Sequence, residues 1–230
     1  MIESLKQQVF AANQRIVRSG LVTGTFGNVS GIDRGRGLVV IKPSGVGYGV
    51  LKAVNMVVVS VESGDVVGGT LRPSSDTPTH LVLYRAFPDI GGIVHTHSLY
   101  ATAWAQARRE IPALGSTHAD YFNGPVPCTR PMTDEEIALD YETNTGQVIV
   151  ERFADLDPSD FPAVLVANHG PFCWGSSSEE AVDHAIYTEH IARLASETLA
   201  IDPSVPPIGS ALLNRHFRRK HGPAAYYGQR

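Results

Sequence analysis

Apolar residues at Ile2, Leu5, Val9, Ala12 and Ile16 recur at steps of three and four, which is one face of a helix, and Gly20 follows where a left-handed residue closes one. The pattern then shortens. Residues 37–42 and 56–61 are brief β-branched runs, so both are expected to be strands; the first ends at Pro43-Ser44-Gly45, and the second turns through 62–65 into Val66-Val67. Ser74-Ser75-Asp76-Thr77-Pro78 places oxygen-bearing side chains and a proline where a helix begins, and that helix runs to about Phe87. Residues 92–97 predict a strand, and Ser98 a cap for a helix through Ala107. Residues 124–127 and 155–160 are expected to be loops, residues 146–150 a strand, and residues 163–167 a buried strand that delivers Asn168-His169-Gly170-Pro171 to its end. A long helix starts at Ser178, presents Val182, Ala185, Ile186, Ala192, Ala195 and Leu199, and stops by Asp202-Pro203. A last helical segment carries Arg215, His216, Arg218, Arg219 and Lys220. With no repeat and no change of composition along the chain, one α/β domain with helices covering a sheet is the expected architecture.

Composition narrows the function. The 230 residues are 43% hydrophobic, enough for one large core, while 19 Lys+Arg against 23 Asp+Glu give a net charge of −4. A bulk positive field for nucleic acid or an anionic membrane is therefore absent, although a local basic site is not. The longest apolar stretches, such as residues 163–167, fall far short of the roughly 20 residues that span a bilayer. Residues 1–8 mix an acid and two glutamines where a secretory signal needs an apolar core, so a cytoplasmic address is expected. Cys128 and Cys173 lie far apart and outside any CxxC spacing, as ordinary thiols of a reducing compartment do.

The nine histidines carry the candidate chemistry. His95 and His97, two apart in an expected strand, project from one face and can clip one ion between them. His169 follows another expected strand and is a candidate third imidazole; three histidines would leave coordination positions open for substrate, as a catalytic metal site requires. Each also fits an ordinary hydrogen-bonded residue at a strand end. His80, His184, His118 and His190 are expected in surface or hydrogen-bonding roles. Ser44-Gly45, Ser74-Ser75 and Gly27-Asn28 are small polar turns that can hold a phosphate on hydroxyls and backbone N–H groups, with Lys42 as a nearby charge, or can be plain turn and capping chemistry. No Walker or dinucleotide fingerprint is present. Asp76 either caps its helix or reaches towards the metal.

Taken together, residues 27–30, 42–46, 73–80, 92–98, 117–122 and 220–229 resemble the L-ribulose-5-phosphate 4-epimerase family of the class II aldolase and epimerase superfamily, in the same order and over essentially the whole chain. The resemblance implies a single-domain, three-layer αβα fold with a mixed, largely antiparallel central sheet. It implies a divalent metal, zinc or an alternative such as manganese, at His95, His97 and His169, with Asp76 beside it. A cradle for substrate and phosphate would come from Gly27, Asn28, Ser44, Gly45, Ser74 and Ser75. Asp120 and Tyr227 would form the acid/base pair, with His216 near the substrate. The family pattern is a fourfold-symmetric homotetramer with sites between subunits, so a tail of about residues 210–230 would bring Tyr227 and His216 to a neighbour's metal. Phe26, Asn168 and Ser116 depart from the family's usual residues and leave the named ligands intact.

The implied substrate is a pentulose phosphate, and the implied reaction has a clear chemical demand. The hydrogen at C4 of a ketose phosphate is not acidic, because the carbonyl is two carbons away. Retro-aldol cleavage between C3 and C4, rotation of the aldehyde and re-addition invert that centre. The reaction needs charge stabilisation for the enediolate, a grip on the phosphate during rotation, and proton-transfer groups on the two faces of the aldehyde. Tyrosine, with a reference pKa near 10, donates at neutral pH unless a cation lowers it. Two other readings stand beside the epimerase: a class II aldolase that releases its aldehyde, in which Glu commonly replaces Asp76, and a non-catalytic module like the adducin head.

Overall fold

The computed structural model describes residues 2–223 and 225–228; Gln229, the last residue of the resembling C-terminal block, lies outside them. The elements run α1 (Ile2–Arg18), β1 (Asn28–Asp33), β2 (Leu38–Ile41), a 3₁₀ turn (Ala53–Asn55), β3 (Val57–Ser60), β4 (Val66–Gly68), α2 (Thr77–Ala86), β5 (Gly92–His95), α3 (Leu99–Gln106) and α4 (Ser116–Ala119). Then come α5 (Asp134–Arg152), β6 (Ala163–Val166), β7 (Gly170–Gly175), α6 (Ser178–Ile201) and α7 (Ser210–Lys220). No described helix is long and apolar enough to cross a membrane.

The strands form one sheet in the order β4-β3-β2-β1-β5-β7-β6, with every neighbouring pair antiparallel. The parallel element is a bridge between Cys128 and Leu165 at the β6 edge, where Leu165 N–H donates to Pro127 O at 2.8 Å and Thr129 N–H to Leu165 O at 2.9 Å. Because strand side chains alternate, the sheet has two apolar faces. Val29, Val40, Val58 and Val94 meet α1, α3 and α6 through residues such as Val9, Ile16, Trp104 and Val182. Val39, Ile41, Val57 and Ile93 meet α2 and α5 through Leu81, Leu83 and Ile149. The three-layer expectation is met.

Three local expectations are corrected. Residues 146–150 lie inside α5, not in a strand. A short β-branched run cannot distinguish strand from helix: a capping box joining Thr133 and Glu136 opens α5, the non-helical Asp140 (φ −159°, ψ 80°) breaks it, and residues 146–150 belong to the second helical segment, on which Val148 and Ile149 are buried. Gly146 is a packing residue: a Cβ there would stand 2.7 Å from Val82 Cβ of α2. Residues 27–30 are not simply a polar turn, because Asn28 opens central strand β1. The start of α2 has Asp76 at its N-cap position but no side-chain cap bond. Strand β7, bounded by Gly170-Pro171 and Gly175, carries turn-type residues at both ends and was not expected.

Candidate metal and phosphate site

Three central strands bring the histidines together. Asn28 at the start of β1 is paired with His95 at the end of β5, and His95 with Phe172 near the start of β7. His95 is buried and stacks on Phe172, with ring centroids 4.2 Å apart. Its Nδ1 lies 3.0 Å from Pro171 O. A carbonyl oxygen only accepts, so Nδ1 carries the proton and Nε2 is left as a lone pair. His97 lies two residues beyond β5, and its Nε2 is 3.1 Å from that of His95. His169 sits in the three-residue connection from β6 to β7, after Asn168, whose φ of 65° turns the chain sharply. A side chain at Gly170 would put its Cβ 2.8 Å from Thr96 O, so the close approach of this turn to β5 requires glycine.

The donor set fits a divalent cation. One ligand atom from each of His95, His97 and His169 lies within 4.8 Å of the others. The 3.1 Å between two Nε2 atoms is close to the about 3.3 Å that two 2.0–2.1 Å bonds subtend at a tetrahedral angle. Burial, helped by its two neighbouring imidazoles, holds His169 neutral with its pKa down to about 3. His97 is lowered by burial and His95, with Asp76 opposing. Neutral imidazoles are what a cation binds.

Asp76 does not cap α2. Its Oδ2 accepts from Asn28 Nδ2 at 2.6 Å. Burial resists its ionisation, but His95, His80, the Asn28 bond and His169 outweigh that and hold the carboxyl below its usual range. Asn28 Nδ2 also donates to Ser74 Oγ at 3.1 Å. Ser44 N–H donates to Arg72 O and Ser74 N–H to Lys42 O, each at 3.0 Å, which lays two of the expected anion segments side by side. Ser44, Gly45 and Ser75 are exposed on this rim. Lys42 is only 2% exposed, yet among the described residues its Nζ meets just Pro43 O at 3.4 Å and the Tyr48 ring at 4.8 Å. Burial lowers its pKa while Asp76 opposes. Tyr48 Oη donates to Gly27 O at 2.8 Å, and Gly27, at φ 81°, would set a Cβ 2.9 Å from His95 O. The cradle thus adjoins the triad.

Asp120, His216 and Tyr227 form a second group. Asp120 takes a two-pronged bond from Arg219, Nε at 2.9 Å and Nη2 at 2.6 Å, and lies 3.0 Å from His216 Nδ1. Burial pushes its pKa up, but Arg219, His216 and Lys220 prevail and lower it. The Tyr227 ring lies 4.7 Å from the Arg219 guanidinium and 4.6 Å from Lys220 Nζ, with its backbone N–H donating to Arg219 O. Among the described residues, no hydrogen bond, ion pair or ring contact joins this group to the triad. Sequence reasoning missed Tyr141, whose hydroxyl is 3.3 Å from His169 Nδ1, and it gave Phe26 no role, although that ring stacks on His97 at 5.6 Å. Neither carries a signal in local spacing. His118 and His184 bond the backbone carbonyls of Gly124 and Trp174, as expected.

The model of the class II aldolase and adducin N-terminal domain family matches residues 7–196. L-ribulose-5-phosphate 4-epimerase UlaF of Salmonella paratyphi B (strain ATCC BAA-1250 / SPB7) is 56% identical over 229 residues, covering 100% of both chains. Among solved structures, an L-fuculose 1-phosphate aldolase superimposes with a TM-score of 0.78 at 27% identity, covering 93% of this chain and 94% of that one. The L-fuculose 1-phosphate aldolase of Glaciozyma antarctica PI12 has a TM-score of 0.77 at 18% identity over 97% of this chain and 84% of its own, a likeness of fold. The chain belongs to the class II aldolase and adducin N-terminal domain family.

Proposed function

We propose that the protein is a divalent-metal-dependent L-ribulose-5-phosphate 4-epimerase of pentose catabolism, interconverting L-ribulose 5-phosphate and D-xylulose 5-phosphate by breaking and re-forming the C3–C4 bond. The observation that carries this reading is 56% identity to a 4-epimerase along the entire chain. The convergent histidines beside a buried cation and a polar rim support it chemically. A cytoplasmic setting is part of the reading.

Each part of the site answers one demand of the reaction. Bound at His95, His97 and His169 with Asp76 alongside, a divalent cation, zinc in this proposal, supplies Lewis-acid stabilisation of the enediolate charge. Gly27, Asn28, Ser44, Gly45, Ser74, Ser75 and Lys42 grip the phosphate while the aldehyde face turns, which keeps the cleavage product from leaking away. Asp120 and Tyr227 exchange the proton of the C4 oxygen on opposite faces, with His216 held by Asp120 as its partner.

Asp120, His216 and Tyr227 cluster in one chain, with no hydrogen bond, ion pair or ring contact to that chain's own triad among the described residues. The oligomer of this proposal is a homotetramer in which residues of about 210–230 complete a neighbour's site, and Asp120 travels with them. A coupled assay of L-ribulose 5-phosphate conversion, before and after chelation and zinc restoration, tests the reading. Activity that disappears and returns supports it. Net release of glycolaldehyde phosphate faster than epimer formation would make the protein an aldolase instead.

A further inference from the structure

Asp76, His80 and Tyr84 stand one helical turn apart on α2 and face Asn28 and Ser30, alternate residues of β1. Asn28 Nδ2 meets Asp76, and Ser30 Oγ lies 2.7 Å from His80 Nδ1 and 2.8 Å from Tyr84 Oη. Ser30 and His80 are fully buried and Tyr84 is 1% exposed. This is a buried polar seam between α2 and β1. His80 Nε2 has no hydrogen-bond partner among the described residues, although it is buried.

Counting protons fixes how the seam is wired. Ser30 has one O–H to give, and Tyr84 has one that needs an acceptor. If Ser30 donated to Tyr84, the buried phenol proton would have none. If His80 Nδ1 carried the ring proton and donated to Ser30, the Ser30 proton would lack an acceptor while Tyr84 donated to it. The arrangement that uses both hydroxyl protons runs from Tyr84 O–H to Ser30 Oγ and from Ser30 O–H to His80 Nδ1. With Nδ1 accepting from Ser30, the ring proton of the imidazole is on Nε2. Helical side chains lean towards the N-terminus, the direction in which Asp76 stands one turn before His80, and the Asp76 charge opposes the effect of burial on the His80 ring.

We propose that His80 is a positioning residue for the metal site: fixed as its Nε2–H tautomer by Tyr84 and Ser30, it presents one buried donor towards Asp76 and so orients that carboxylate beside the triad. The inference rests on the reading of His95, His97, His169 and Asp76 as the metal site. A second contact works in the same direction. The His80 ring meets Phe172 edge-on at 6.0 Å, and Phe172 stacks on His95.

The test has two arms. In protein with ¹⁵N-labelled histidine, the His80 ring, assigned by its disappearance in His80→Gln with the other histidine signals unmoved, is expected to show the Nε2–H pattern in the wild type; an Nδ1–H pattern overturns the proposal. Zinc affinity, measured by competition with a chelator, is expected to fall about ten-fold or more in Ser30→Ala and to recover in Ser30→Thr, which keeps the hydroxyl. Wild-type affinity in Ser30→Ala overturns it. Loss of zinc binding in His97→Asn upholds the underlying site; retained affinity there defeats that reading, and this inference with it.

Discussion

Lys42 illustrates how a single side chain advertises a missing partner. An ammonium this deeply buried is costly unless paired, and one long carbonyl contact and one aromatic ring are thin compensation. Lys42→Met is therefore expected to leave the fold as stable as before or more so, while raising KM for the phosphorylated substrate ten-fold or more and weakening inhibition by inorganic phosphate. Steady-state kinetics beside a denaturant titration separate the two effects. His118 makes a different prediction, about acid stability. Its Nε2 is 2.6 Å from Gly124 O, its Nδ1 is buried without a partner among the described residues, and burial lowers its pKa to about 4 against that weaker backbone bond. A group depressed in the folded state contributes fully above its unfolded value, near 6.5 for histidine, and that contribution declines as the pH falls towards about 4. Over that window it is worth up to about 3 kcal/mol. His118→Gln, which keeps an N–H donor for Gly124 O, should flatten the fall of unfolding free energy between pH 6.5 and 4; an unchanged slope would remove His118 from the account.

At the scale of elements, the placement of α2 decides where Asp76 stands, and α5 holds α2 down. Gly146 lets the two helices touch, since a Cβ there would collide with Val82. Glycine in a helix is otherwise inferior to alanine by about 1 kcal/mol, so the sign of Gly146→Ala is a contest between propensity and overpacking of about 1–3 kcal/mol. At 2.7 Å from a β-branched Cβ, overpacking wins. Gly146→Ala is expected to lower stability and weaken metal binding through a displaced α2, and Val82→Ala in the same chain to restore both, as thermal unfolding and chelator competition would report. This helix pair also marks where the sequence could not be read locally. Val148-Ile149-Val150 has the composition of a strand, and its helical state comes from packing on α2. The long amphipathic helices α1 and α6 and strands β2, β3 and β6 were legible because their periods span several turns or end at clear turn residues. β7 was hidden by its own Gly-Pro and Gly boundaries, and it is the strand that carries His169 to His95. The His95–His97 pair was suggested by an expected strand over residues 92–97, yet β5 ends at His95, so strand alternation does not account for His97; the convergence of His169, the Lys42–Tyr48 contact and the Tyr141 hydroxyl depend on the tertiary fold, which no local pattern contains.

In the molecule as a whole, the proposed metal site and the proposed proton-transfer group share no hydrogen bond, ion pair or ring contact among the described residues of one chain. The triad lies at the end of the central strands, while Asp120 just after α4, His216 on α7 and Tyr227 beyond it gather around Arg219. The proposed homotetramer would bring the tail group of one chain to the triad of another, and closed symmetry would give every copy the same arrangement. Mixing variants tests this directly. His97→Asn removes a ligand and leaves the tail group whole, and Tyr227→Phe removes the tail hydroxyl and leaves the triad whole. Each alone is expected to be nearly inactive. If every site draws its triad from one chain and its tail from the next, random co-assembly at equal amounts makes about a quarter of the sites fully wild type, and activity should recover to about that fraction. If each chain completed its own site, every mixed site would carry one defect and co-assembly would restore nothing. Recovery must also depend on subunit exchange. Mixing the assembled variants without dissociation should restore activity only as slowly as the oligomers trade chains, whereas refolding them together should restore it at once.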